Sequence, residues 1–367
     1  MVMEKQAIQK IKNLMEELKV PYYYVNASKN YKTILSYGEN EGKMASGNEK
    51  LFMFSCTKPL TVICGLKLIE KGLMSFDDKV YKYLPFIKDC YIEKDNKKEV
   101  VGDKITVKHL FTMTAGFNYN YNAKPLKEAF AEGKNPDTIE VLKAICKSPL
   151  VSYPGERFNY SFCHDFLAGV IGVVANKPFY DVVDEFILKP LNMKDSKFTY
   201  TDDDFEVNYY RYEKGGYIKL PLYNYLVPSK NWNSGGASLI STANDYLKFI
   251  KVLANGGISE DGVKIVEKET IDLMYSEQVK TVSVNNNFTC VQGEDYGYGY
   301  GVRTRIKETS WGLPIGEFGW DGMAGSYLMV DPINNVSVFI AMHVEMWPDF
   351  FLNKHLEIVK IIYENLI

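Results

Sequence analysis

The sequence predicts an α/β (α+β) fold: an antiparallel sheet assembled from both ends of the chain, flanked by helices, with an all-helical lobe inserted. Three observations predict it. Short β-rich runs follow the first 20 residues, the pattern from residue 77 to about 280 is mostly helical, and strand-like alternation returns from residue 295. On this reading residues 1–80 and 290–367 form the sheet lobe and residues 81–289 the mainly helical lobe, with a functional cleft between them.

The elements follow in order. Ile8, Ile11, Leu14, Met15 and Leu18 recur at helical spacing among charges, so the N-terminus reads as an amphipathic helix rather than a signal peptide. Residues 22–27 and 33–37 read as two strands joined through Ser28-Lys29-Asn30. A buried helix carrying Leu60, Val62, Ile63, Leu66, Leu68 and Ile69 follows and stops near Gly72. The middle contains helices at 138–147, 162–175, 179–188 and 242–255, with loops at 95–98, 118–124 and 201–204. Thr242-Ala-Asn-Asp has the form of an N-cap with an acidic first turn. Strands are expected at 296–302, 326–330 and 336–343, with a turn at 331–335, and a last helix at about 353–366.

Composition is that of an ordinary globular protein: 367 residues, 46% apolar, 24% charged, net charge −3. No long basic or acidic block is present, which argues against nucleic acid and anionic membranes as partners. No stretch approaches the ~20 apolar residues of a membrane span. A cytoplasmic location is expected, or an exported one if a leader was removed. The six cysteines (56, 64, 90, 146, 163, 290) form no C-x-x-C pair and read as free buried thiols.

The chemistry rests on three motifs. Ser55-Cys56-Thr57-Lys58 is the only S-x-x-K, and it opens the buried helix. Residues at i and i+3 share a helix face, so the hydroxyl and the ammonium lie one turn apart. A lysine so placed activates a serine without histidine; alone, the pattern is equally a Ser N-cap before a surface Lys. Tyr160-Ser161-Phe162 sits at a loop-to-helix junction behind the Pro154-Gly155 turn. Gly319-Trp320-Asp321-Gly322-Met323-Ala324-Gly325 leads into a strand, and its glycines permit close backbone approach to a ligand. Taken singly, Tyr160 is one of 27 tyrosines and the Trp-Gly strand edge is packing. Cys56 beside Ser55 reads as a small packing residue. The four histidines (109, 164, 343, 355) stand in no nucleophile context, no G-x-S-x-G is present, and neither metal-ligand spacing nor a phosphate loop appears.

In this order the motifs are identifiable: the chain resembles the serine β-lactamase and penicillin-binding protein superfamily, in its class C-like branch, over nearly its whole length. Further matching stretches are Leu73-Met-Ser-Phe-Asp-Asp-Lys-Val-Tyr-Lys-Tyr-Leu-Pro, Pro190-Leu-Asn-Met, Gly235-Gly-Ala-Ser-Leu-Ile-Ser-Thr, and Ile105-Thr-Val-Lys-His-Leu-Phe-Thr-Met-Thr-Ala-Gly, where Met113 replaces the usual His. Its motifs are most similar to those of family VIII carboxylesterases, which carry a Trp-containing third motif and often lack the Asn of Tyr-x-Asn.

The resemblance implies a β-lactamase/DD-peptidase-like fold and an acyl-enzyme on Ser55, with Lys58 and Tyr160 sharing the base role. Either Lys58 eases proton loss from Tyr160, or desolvation neutralises Lys58 itself. The Ser55 and Met323 backbone N–H groups would hold the oxyanion. Trp320, Asp321, Gly322 and Phe162 would meet the substrate. Phe162 offers nothing polar and Trp320 one N–H and an aromatic face, so an apolar acyl or alcohol group fits better than an anionic lactam; Asp321, if it faced the cleft, would repel an anion. The implied partner is a small-molecule ester or amide, with no cofactor and no metal. The expected activity is carboxylester hydrolysis; β-lactamase or D-alanyl-D-alanine peptidase activity is the alternative, and a non-catalytic ligand-binding relative the reading from another class.

Overall fold

The computed structural model describes residues 2–279 and 295–367, so Cys290 lies outside the described residues. An eight-stranded sheet forms the frame. Its spatial order is Tyr296–Tyr298, Arg303–Arg305, Phe318–Asp321, Tyr327–Asp331, Val336–Met342, Tyr22–Lys29, Lys32–Asn40 and Lys43–Met44. Every pairing within it is antiparallel. The two ends of the chain therefore share one sheet, joined where Tyr23 pairs with Met342 and Lys29 with Val336.

Both faces of this sheet are covered, which is why Val336–Met342 is apolar almost throughout and fully buried. Alternate residues serve opposite layers. Val25, Ala27, Val338, Ile340 and Met342 pack with Ile11, Met15, Ile358 and Ile362 of the terminal helices, Val2–Glu17 and His355–Leu366. Leu328, Val330, Phe339 and Ala341 face the other way, toward Tyr246, Phe249 and Ile250 of the Ala243–Ala254 helix. Beyond lies the Thr57–Glu70 helix, with Thr57 through Leu66 and Leu68 buried on every side. Such all-round burial marks a helix at the centre of a domain.

Local signals set most helix ends. Asp137 and Glu140 form a reciprocal capping box at the start of Thr138–Cys146, and Thr242 accepts from the Asp245 amide at the start of Ala243–Ala254. The expected helix at 179–188 forms as Phe179–Val183 continued by a wider π turn, Asp184–Leu188.

Several expectations are corrected. The first hairpin turns at Asn30-Tyr31, with φ of +48° and +66°, and Lys29 still pairs with Lys32. The same two-residue turn, with both φ positive, recurs at Asp95-Asn96 and Lys214-Gly215. Residues 95–98 are therefore not a plain loop: Tyr91–Lys94 and Lys97–Val100 are paired strands. A further hairpin, Tyr209–Glu213 with Gly216–Leu220, stands where helix was expected, and Val344–Glu345 extends it in parallel. The strand expected at 296–302 ends at Tyr298, because Gly301, at φ +82°, folds the chain onto the Thr57–Glu70 helix; a Cβ there would lie 2.1 Å from Val62 Cγ2. Cys56, Cys64, Cys90, Cys146 and Cys163 are buried free thiols. Among the described residues no single helix is long and apolar enough to cross a membrane.

Candidate active site

Leu51–Phe52 pairs with Ile240–Ser241, and the chain then kinks sharply. Phe54 adopts a left-handed backbone, φ +44°, which costs a bulky residue about 1–2 kcal/mol. Its ring is fully buried against Phe52 and Tyr209, with centroids 5.7 and 6.0 Å away, which offsets that strain. The kink places Ser55 half-exposed in a 3₁₀ turn, Phe54–Cys56, and the α-helix proper begins at Thr57. Thr57 secures the junction by donating to the Phe54 carbonyl at 2.6 Å and accepting from the Leu239 amide at 3.0 Å.

The i to i+3 relation survives this change of helix type. Lys58 Nζ donates to Ser55 Oγ at 2.9 Å and to the Gly236 carbonyl at 2.9 Å. Its side chain is 1% exposed, so these acceptors replace water around the nitrogen. Tyr160 OH, 105 residues away along the chain, donates to Ser55 Oγ at 2.6 Å. The Tyr160 segment is held by Asn159, whose amide donates to the Met113 carbonyl at 2.8 Å. Met113, the residue standing where the resemblance expects His, is buried with φ +57°.

The third motif closes the site. Trp320 Nε1 donates to Tyr160 OH at 3.3 Å, with the rings 5.4 Å apart. A Cβ on Gly322 would stand 2.5 Å from the Met53 carbonyl, so only glycine lets this strand lie against the Ser55 turn. Met323 is half-exposed, and its sulfur accepts from Tyr225 OH at 3.4 Å. Neither the Ser55 nor the Met323 amide donates to a backbone carbonyl among the described residues.

Phe162, 1% exposed, packs edge-on against Tyr119 and Tyr121 at 4.7 and 5.0 Å, and Tyr119 meets Tyr160 at 5.2 Å. Burial pushes both phenols, Tyr119 and Tyr121, well above their ordinary range, so they stay neutral. Asp321 stands apart from this group. It binds Arg303 at 3.0 Å on the terminal-helix side of the sheet, with both side chains buried. The structure thus groups Lys58, Tyr160, Trp320, Gly322 and Met323 around the Ser55 turn, buries Phe162 behind Tyr119 and Tyr121 and Trp320 behind Tyr160 rather than exposing either ring to a substrate, and assigns Asp321 to an ion pair.

Burial raises the Cys56 thiol well above its ordinary range, so it stays protonated beside Ser55. His164 is pushed down to about 3 by burial and His343 likewise, so both are neutral. Among the described residues no group of three or more His, Cys, Asp or Glu could hold a metal ion. Sequence reasoning missed Tyr119, Tyr121, Asp165 and the Gly236 carbonyl. The first two lie in a stretch read only as a loop, and a carbonyl acceptor has no residue type to flag it.

A serine hydroxyl held between a buried lysine and a tyrosine, at the foot of a sheet shared by both chain ends, is the arrangement of a serine hydrolase. The Beta-lactamase family model matches residues 7–359, and the chain belongs to that family. It is 26% identical over 322 residues to Protein Rv1367c of Mycobacterium tuberculosis, covering 81% of this chain and 78% of that protein. It is 24% identical over 339 residues to Esterase EstB of Burkholderia gladioli, covering 84% and 81%. Among solved structures, EstCE1, described as a hydrolase with promiscuous acyltransferase activity, superposes with TM-score 0.81 at 19% identity over 98% of each chain.

Proposed function

We propose that this serine hydrolase is a carboxylesterase acting on small acyl esters through an acyl-enzyme on Ser55. The observation that carries the reading is the position of Ser55 Oγ, 2.9 Å from Lys58 Nζ and 2.6 Å from Tyr160 OH. In its phenolate form Tyr160 takes the serine proton as Oγ attacks the ester carbonyl. The C–O bond to the alcohol then breaks, and Tyr160 returns the proton to the departing oxygen. Water, deprotonated by the same oxygen, attacks the acyl-enzyme carbonyl; the C–Oγ bond breaks, Tyr160 returns that proton to Ser55 Oγ, and the carboxylic acid leaves. The amides of Ser55 and Met323 receive the oxyanion, one such donor being worth about 3–4 kcal/mol.

The ester preference is supported by the rings around Tyr160. Half-buried Tyr119 presents its ring beside Tyr160 with the buried Phe162 packed behind it, and the buried Trp320 directs its N–H at the Tyr160 hydroxyl, so the third motif places no side-chain cation there for a substrate carboxylate. The similarity to Esterase EstB points the same way. The test is hydrolysis of p-nitrophenyl acetate and butyrate by wild type and Ser55→Ala, with intact-mass detection of the adduct and a chromogenic cephalosporin alongside. Ester turnover that vanishes in Ser55→Ala supports the reading. Cephalosporin turnover exceeding ester turnover establishes a lactamase instead, and binding without turnover a non-catalytic relative.

A further inference from the structure

Asp165 lies on the Cys163–Ala175 helix, is 1% exposed, and belongs to none of the three motifs. Its Oδ1 accepts from Ser234 Oγ at 2.5 Å, and that Ser234 oxygen accepts in turn from the Gly236 and Ala237 amides at 3.1 and 3.0 Å. A Cβ on Gly236 would stand 2.9 Å from Asp165 Oδ2, and one on Gly235 would stand 2.3 Å from the His164 carbonyl. The paired glycines are thus what let this loop seat on the carboxylate. The same loop presents the Gly236 carbonyl to Lys58 Nζ at 2.9 Å, and Thr61 anchors it through the Gly235 carbonyl at 2.7 Å.

The charges around Asp165 are few. Cys163 beside it is pushed up to about 11 and His164 down to about 3 by burial, so both are neutral. Tyr119 and Tyr121, on the loop facing it, are held neutral. Lys58, on the Thr57–Glu70 helix, is the cation that acts on it. Burial raises the Asp165 carboxyl to about 6, opposed by the Ser234 hydrogen bond and by Lys58.

We infer that Asp165 is a positioning residue for Lys58: it seats the Ser234–Ala237 loop whose carbonyl receives the ammonium, and its carboxylate is the counter-charge that keeps Lys58 protonated while Tyr160 carries the serine proton. The inference rests on the Ser55 acyl-transfer reading. It selects between the two base assignments open at the sequence level, because a carbonyl held in place by the Asp165-seated loop accepts from the Lys58 ammonium and so favours its protonated form.

The test measures the rate of Ser55 acylation by p-nitrophenyl butyrate against pH in wild type, Asp165→Asn and Ser234→Ala, with thermal melts to establish folding. Asn keeps an acceptor for Ser234 and removes the charge. Proton loss from the Lys58–Tyr160 pair then becomes easier, and the alkaline inflection falls by about one pH unit. Ser234→Ala keeps the charge and removes a donor, so the inflection near pH 6 moves upward. A lower plateau with wild-type inflections in both variants makes Asp165 a structural anchor only and overturns the inference. If Asp165→Asn does not fold, Ser234→Ala decides by the same criterion. A wild type that is never acylated overturns the Ser55 reading and this inference with it; a wild type that is acylated, with unmoved inflections, overturns this inference alone.

Discussion

Trp320 and Asp321 are consecutive in one strand and serve opposite faces of the sheet. The Trp320 indole N–H lies 3.3 Å from the Tyr160 hydroxyl, in the layer that holds Ser55. The Asp321 carboxylate binds Arg303 at 3.0 Å in the layer of the terminal helices, where the Arg303 guanidinium also lies 4.3 Å over the Tyr327 ring. Strand pleating sends neighbouring side chains to opposite faces, so one dipeptide supplies a buried group beside Tyr160 and a buried group to the terminal-helix layer.

Trp320→Phe keeps a buried ring and removes the N–H directed at Tyr160. A hydrogen bond to a group that bears charge during the reaction is worth about 1.5–3 kcal/mol, so kcat for p-nitrophenyl butyrate is expected to fall at least about tenfold. A thermal melt checks that the fold is retained, and kcat within twofold of wild type would remove Trp320 from the mechanism.

Asp321→Asn leaves Arg303 facing Glu317 at 3.6 Å but without its nearer carboxylate. Breaking a buried pair from one side costs about 3–5 kcal/mol. Denaturant unfolding should show a loss of that order, while kcat per folded molecule stays within about twofold because the carboxylate is paired with Arg303 on the face of the sheet away from Ser55. Loss of kcat with unchanged stability would place Asp321 in substrate binding after all.

Phe162→Asn puts an amide among the rings of Tyr119, Tyr121 and Trp232, the last 6.5 Å away. Losing a buried ring and burying a polar group together cost about 3–5 kcal/mol. The unfolding midpoint should fall accordingly, and cephalosporin hydrolysis should not appear. Its appearance would mean that this one side chain decides between ester and lactam.

Acid should destabilise the fold. Burial lowers His164 and His343 from an ordinary 6.5 to about 3, and His355 to about 4. Between pH 6.5 and those values the unfolded chain binds protons that the folded chain refuses, so stability is complete above about pH 6.5 and is lost as pH falls. Asp165, raised to about 6, acts in the opposite sense between pH 6 and 4, but one carboxyl does not offset four imidazoles, His109 being lowered to about 4 as well. Melting at pH 4.5 should therefore lie roughly 10 °C below melting at pH 7. An unchanged midpoint would contradict the burial of these rings as neutral groups.

What the sequence alone determined is what depends on residues near one another in the chain. Helix periodicity located the Thr57–Glu70, Thr138–Cys146 and Ala243–Ala254 helices to within a residue or two, since caps and apolar spacing are local. The closeness of Ser55 to Lys58 follows from three-residue spacing whether the turn is 3₁₀ or α. The β-hairpins at 91–100 and 209–220 were not legible: their two-residue turns use Asp-Asn and Lys-Gly, and their strands are too polar to show a buried face. Tertiary structure alone decided which distant residues meet Ser55 and Lys58. Tyr160 reaches Ser55 over 105 residues and Gly236 reaches Lys58 over 178. It also sent Asp321 to Arg303, because the face on which a strand residue lands is set by register against its neighbours, and register is a property of the whole sheet.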